Sequence, residues 1–146
     1  MFLSRKYAGL FSATAMVGVL LVGCGESKVA QCNKLIAVAN KAATESKQMS
    51  QSSNPDKIGQ LSQMADKLDQ YAKEIQAVEI KDDQLKGFQG RFAKMYQETG
   101  AASRALIAAV NKKDPKGIGT SSKALQTASG QEGPLVSEVN SYCSGK

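Results

Sequence analysis

From residue 29 onward, apolar side chains recur every three or four positions, the period of an α-helix with one buried face. Val29, Cys32, Leu35, Ile36, Ala39, Ala42, Ala43 and Met49 form a first stripe. Ile58, Leu61, Met64, Ala65, Leu68, Tyr71, Ala72, Ile75 and Val78 form a second, and Leu85, Phe88, Phe92, Met95, Thr99, Ala102, Leu106 and Ala109 a third. Polar residues occupy the opposite faces, and no segment sustains the alternation of a strand. In a fourth stripe Ile118, Leu125 and Val139 share one heptad position, with Glu132 as its polar exception, and Ser121, Ala128, Leu135 and Tyr142 share another. Gly130, Gly133 and Pro134 should interrupt a helix there, yet the register runs through them. One helix kinked near 130–134, or two collinear pieces, is expected.

Boundary residues agree with four helices. Asn54-Pro55-Asp56 offers a capping side chain ahead of a proline at the first helical position. Lys81-Asp82-Asp83 offers an acidic cap to the third helix, and Asp114-Pro115 repeats the cap-and-proline device before the fourth, where Gly117 and Gly119 weaken the first turn. Short loops make the helices alternate in direction, so the prediction is an all-α, up-down-up-down four-helix bundle. Gly87, Gly90 and Gly100 lie inside the third helix, where each costs ~1 kcal/mol relative to alanine. That cost points to close approach of another backbone, from within the bundle or from a partner.

The first 23 residues follow a different pattern. Arg5 and Lys6 precede an uncharged, mostly apolar run from Tyr7 to Val22, the arrangement of a secretory signal. The run is short for a membrane-spanning helix, which needs ~20 apolar residues, and a retained membrane helix is the alternative. The run ends in Leu21-Val22-Gly23-Cys24, followed by small and polar residues. This resembles the lipobox of bacterial lipoproteins. The resemblance implies cleavage before Cys24 and a lipid on its sulfur, with acyl chains anchoring the protein at ~0.8 kcal/mol per buried CH₂. In that family Gly25, rather than aspartate, after the cysteine favours an outer membrane where one exists. The segments Gln31-Cys32-Asn33-Lys34-Leu35-Ile36 and Tyr142-Cys143-Ser144 are also similar to the ends of small cyanobacterial lipoproteins, a likeness that implies no known activity. The domain reading is a signal peptide over 1–23, a lipidated N-terminus and tether over 24–31, the bundle over 32–143 and a tail over 144–146.

With Cys24 assigned to lipid, two of the three cysteines remain, Cys32 and Cys143. An exported chain meets an oxidising compartment, so a Cys32–Cys143 disulfide is expected, against the alternative of two buried free thiols. An even number of antiparallel helices brings these two positions to one end of the bundle. The seven residues between Cys24 and Cys32 span at most ~25 Å, which keeps that end near the bilayer. Lys28, Lys34 and Lys146 belong to it and could rest on anionic headgroups or stay solvated.

Charge and chemistry narrow the function further. Removing Arg5 and Lys6 lowers the formal charge from +6 to +4, and the basic residues are interspersed with acids. Together with export this argues against a nucleic-acid partner. The chain has no histidine and no tryptophan. It carries no GxSxG, HExxH, P-loop or EF-hand pattern. Asp66, Asp69, Glu74 and Glu98 lack the Glu-x-x-His partners of a bundle di-iron site, and Met49, Met64 and Met95 read as core filler. No enzyme activity, metal or cofactor is expected. The functional expectation is a lipid-anchored interaction module facing the periplasm or cell exterior and docking a membrane or envelope protein complex. Its candidate contact surface is the basic distal tip of Lys57, Lys112, Lys113 and Lys116. The alternative is a carrier or sensor with a small apolar ligand between its helices.

Overall fold

Short polar side chains at each start set where the helices begin. Ser27 Oγ accepts from the Ala30 amide at 3.2 Å and opens α1 (Lys28–Gln51). Asp56 accepts from the Gly59 amide at 2.8 Å and opens α2 (Lys57–Gln76), and Asp82 accepts from the Leu85 amide at 2.9 Å and opens α3 (Asp83–Asn111). Pro115 occupies the first position of α4 (Pro115–Ser129), which is followed by α5 (Glu132–Cys143). A computed structural model describes residues 26–52 and 55–145, and among them no strand is formed.

Three boundaries differ from the sequence expectation. Helix α1 reaches back to Lys28, so residues 28–31 are helical rather than tether, because Ser27 supplies the cap. The cap of α2 is Asp56, and Pro55 precedes it instead of taking the first helical position; Asn54 lies outside the described residues. Asp114 stands at the start of α4 without a side-chain cap bond.

The fold is the expected four-helix bundle, with α4 and α5 together forming the fourth helix. Its interruption is slight. Gly130 and Gln131 keep helical backbone angles, and the Gly130 amide still donates to Gln126 O at 2.9 Å. Pro134 has no N–H to continue the ladder back to residue 130, so the helix bends without turning away.

The core is concentrated at one end. Leu35, Ala39 and Ala42 of α1, Leu68, Tyr71 and Ile75 of α2, Leu85, Phe88, Phe92 and Tyr96 of α3, and Leu135 and Val139 of α5 pack into one cluster. Val29 does not join it and is 59% exposed, while Gln31 takes the inward slot beside Cys32. Helix α4 packs on α3 and buries only Ser121 and Ala128. The buried positions of the far half are therefore small residues, such as Ala65, Ala102, Ser103, Ala109, Ser121 and Ala128.

Of the three glycines inside α3, one explains itself. A methyl group on Gly100 would lie 3.2 Å from the carbonyl oxygen of Ala65 and 3.2 Å from Asp69 Oδ1, so α2 and α3 approach closely there. Around Gly87 and Gly90 nothing lies within 4 Å of such a methyl, and the expected close approach is not found at either. Gly90→Ala should therefore stabilise the protein by about 1 kcal/mol through helix propensity alone. Gly100→Ala should show no such gain, because the opposing Ala65 carbonyl is fixed in its own helix. Urea midpoints of the two variants check the contrast.

Candidate functional site

The end at which α1 begins is tightly fastened. Cys32 and Cys143 are joined by a disulfide, with Cα atoms 6.0 Å apart. The buried Gln31 side chain accepts from the Lys81 amide at 2.6 Å and the Asp82 amide at 3.0 Å, and donates to Glu26 O at 2.8 Å. Gln89 Nε2 donates to Ile75 O at 2.7 Å and Val78 O at 2.8 Å, closing the carbonyl end of α2. Both glutamines thus supply partners for the α2–α3 connection. The Tyr142 hydroxyl donates to the Asp82 carboxylate at 2.8 Å, and Lys28 Nζ sits 3.6 Å from the centre of the Tyr142 ring. The Leu85 amide and then the Tyr142 hydroxyl hold the Asp82 carboxyl below its ordinary range. Lys28 and Lys34 belong to this end as expected, with Lys34 paired to Glu26 at 2.7 Å. Cys24 and Lys146 lie outside the described residues.

The opposite end carries the candidate lysines. Gln89 bonds to Ile75, and Gly100 lies over Ala65, so α2 and α3 are antiparallel and Lys57 falls level with the last turns of α3. Lys112, Lys113 and Lys116 lie in the adjoining α3–α4 connection and at the start of α4. All four are exposed, and among the described residues none forms an ion pair. Several charges along the helix flanks are matched, Lys41 with Glu74, Arg91 with Glu138 and Lys94 with Glu98, whereas Lys47, Lys73 and Lys123 form no ion pair among the described residues.

Lys113 has φ 53°, in the left-handed region that favours glycine. The turn is the usual helix-ending one: Lys113 N donates to Val110 O and Asp114 N to Ala109 O, each at 3.0 Å. Lys113→Gly is expected to stabilise the fold by about 1 kcal/mol, measured as a rise in the urea midpoint.

The third feature lies midway along the bundle, at the bend between α4 and α5. A half-enclosed cavity of about 120 Å³ opens there, walled by Met64 and Leu68 of α2 and Met95 of α3. Ser46, Thr99 and Ser129 add hydroxyls, and Tyr96 and Glu132 complete the lining. Tyr96 is 2% exposed, and its buried hydroxyl has no hydrogen-bond partner among the described residues. Burial and then the Glu132 charge push that hydroxyl well above the ordinary tyrosine range. Glu132 is half-buried, forms no hydrogen bond or ion pair among the described residues, and burial raises its carboxyl above the ordinary range.

A raised folded-state value means that the folded chain holds the Glu132 proton more tightly than the unfolded chain does. The penalty for charging Glu132 is absent below the unfolded carboxylate range. It grows as pH rises through that range to the folded value, and it is full above. Glu132→Gln should therefore raise the melting temperature at neutral pH and leave it nearly unchanged at about pH 3. Thermal scans at the two pH values read the difference. Tyr96 is the only other ionisable side chain lining the cavity.

The helical carboxylates do not converge on a cleft. Asp66 and Asp69 share Arg104 at 3.0 and 2.6 Å, Glu74 binds Lys41 at 3.0 Å, and Glu98 faces Lys94 at 3.7 Å. Among the described residues no group of three or more cysteines, aspartates or glutamates is placed to hold a metal, and no helix is long and apolar enough to cross a membrane. An open, shallow groove of about 650 Å³ runs between α3 and α4, with Ala101, Ala102, Ala105 and Ala124 in its floor. The chain matches no family model, and neither a curated protein nor a solved structure matches it.

Cysteine count and helix parity point to the Cys32–Cys143 pair, while Lys57, Lys112, Lys113 and Lys116 stand out in sequence only as a charge run. Gln31 and Tyr96 carry no local signal. Glu132 is visible as the charged residue at an otherwise apolar heptad position.

Proposed function

We propose that the protein is a lipid-anchored, non-catalytic interaction module on the outer side of a bacterial membrane, held by acyl chains on Cys24 and docking an envelope protein complex through its distal tip. The supporting observation is the contrast between the two ends. The disulfide end receives the chain from Cys24 and ties Gln31, Asp82 and Tyr142 together internally. The far end offers Lys57, Lys112, Lys113 and Lys116 without ion-pair partners among the described residues. A tether on the first end places the second furthest from the bilayer, where an acidic protein surface can reach it. Electrostatic complementarity of this kind speeds encounter and sets orientation more than it adds affinity.

The test is chemical crosslinking in native membranes, comparing the natural chain with a Lys112→Glu/Lys113→Glu/Lys116→Glu variant. A discrete crosslinked partner that disappears on charge reversal is the expected result. A chain that remains uncrosslinked at every spacer length, or a partner captured equally by the reversed variant, contradicts docking through the tip. A second reading, a carrier or sensor of a small ligand between the helices, draws on the cavity at Glu132, which at about 120 Å³ is smaller and more polar than the apolar pocket expected.

A further inference from the structure

Hydrogen-bond polarity decides what the mid-bundle cavity can hold. The Thr99 hydroxyl donates its proton to Met95 O at 2.7 Å, and the Ser129 hydroxyl donates to Leu125 O at 2.8 Å. Each therefore presents only lone pairs to the cavity. The Glu132 carboxylate, when charged, likewise only accepts. With Glu132 charged, the lining holds more acceptors than donors, the Tyr96 and Ser46 hydroxyls being its O–H groups, and carries one negative charge without an ion-pair partner among the described residues, while Met64, Leu68 and Met95 make the remaining wall apolar. An anion is repelled, and a purely apolar guest leaves Glu132 and the Tyr96 hydroxyl without partners, an arrangement that costs free energy. A bare divalent ion finds a single carboxylate and greasy walls, far from the oxygen cage it needs. The volume of about 120 Å³ corresponds to roughly four waters or one compact organic molecule.

We propose that this cavity binds a small primary ammonium compound, its charge on Glu132, its N–H groups shared with the Tyr96, Thr99 and Ser129 oxygens, and its short alkyl part against Met64, Leu68 and Met95. Three donors on one nitrogen match the surplus of acceptors, and an alkyl chain matches the apolar side. The carboxylate stands at a position where its register-mates are apolar, a stability cost that ligand binding offsets. The site is independent of the distal lysines and of the docking reading.

The experiment is thermal unfolding of the full-length chain in detergent micelles at neutral pH, titrated with n-butylammonium chloride. Potassium chloride at matched ionic strength and n-butanol at matched concentration are the controls. The expected result is a saturable rise in melting temperature with butylammonium only. The rise is lost in Glu132→Gln, and its half-saturation moves up about tenfold in Tyr96→Phe, the loss of one hydrogen bond to a charged group. Both substitutions keep the side-chain size, and the melt itself reports folding. No saturable rise, an equal rise with butanol or potassium chloride, or an undiminished rise in Glu132→Gln overturns the proposal.

Discussion

Replacing Cys32 and Cys143 together by alanine should lower the unfolding free energy by about 4 kcal/mol, the largest single effect expected for this chain. The bridge joins residues 111 apart in sequence, so it closes nearly the whole folded domain into one loop. In the chain-entropy model the unfolded state loses most when the loop is long, and the gain grows only with the logarithm of its length. Helix α1 depends on it in particular. It buries Leu35 and two alanines as its apolar contribution beyond Cys32, and its other ties are polar, among them Lys41 to Glu74, the Tyr71 hydroxyl to Glu45 and the Lys81 and Asp82 amides to Gln31. Urea unfolding of the oxidised protein and the double variant measures the loss. Amide exchange should show α1 opening ahead of α2 and α3. A loss below about 1 kcal/mol would mean that the unfolded chain keeps its ends together without the bond.

Gln31→Leu should cost about 2 kcal/mol, despite adding an apolar side chain to an interior site. The glutamine is 4% exposed and accepts from the amides of both Lys81 and Asp82. Leucine fills similar space but leaves both amides to find water at the edge of a packed loop, and the bond to Glu26 O goes too. The variant also loosens the loop that presents Asp82 to both the α3 amides and Tyr142. Gln31→Glu is the informative companion: it restores the acceptor but not the donor, and should recover part of the loss. Equal midpoints for the natural chain and the leucine variant would show that the side chain only fills space.

The sequence makes the helices legible because α2 and α3 carry large apolar residues at regular spacing, and burial of Leu68, Tyr71, Ile75, Phe88 and Phe92 follows that spacing closely. The antiparallel order is legible from loop length, and the pairing of Cys32 with Cys143 from residue count and helix parity together. Other features depend on partners remote in sequence. Gln31 is drawn inward by amides fifty residues away, so no local pattern distinguishes it from the exposed Val29. Glycine has no side chain to betray its surroundings, so Gly87 and Gly90 read like Gly100 until the neighbouring helix is placed. Glu132 is visible as a charge in an apolar register. What it faces is not, because Ser46, Met64 and Tyr96 come from three other helices.

The proposed orientation rests on a lipid at Cys24 in front of a bundle whose ends are fastened together. Intact-mass spectrometry of the protein extracted from its native membrane tests this most directly. The predicted mass lacks the first 23 residues, carries diacylglycerol on Cys24 and shows two hydrogens missing from Cys32 and Cys143. A mass that retains Met1, or an unmodified Cys24 beside two free thiols, contradicts the account.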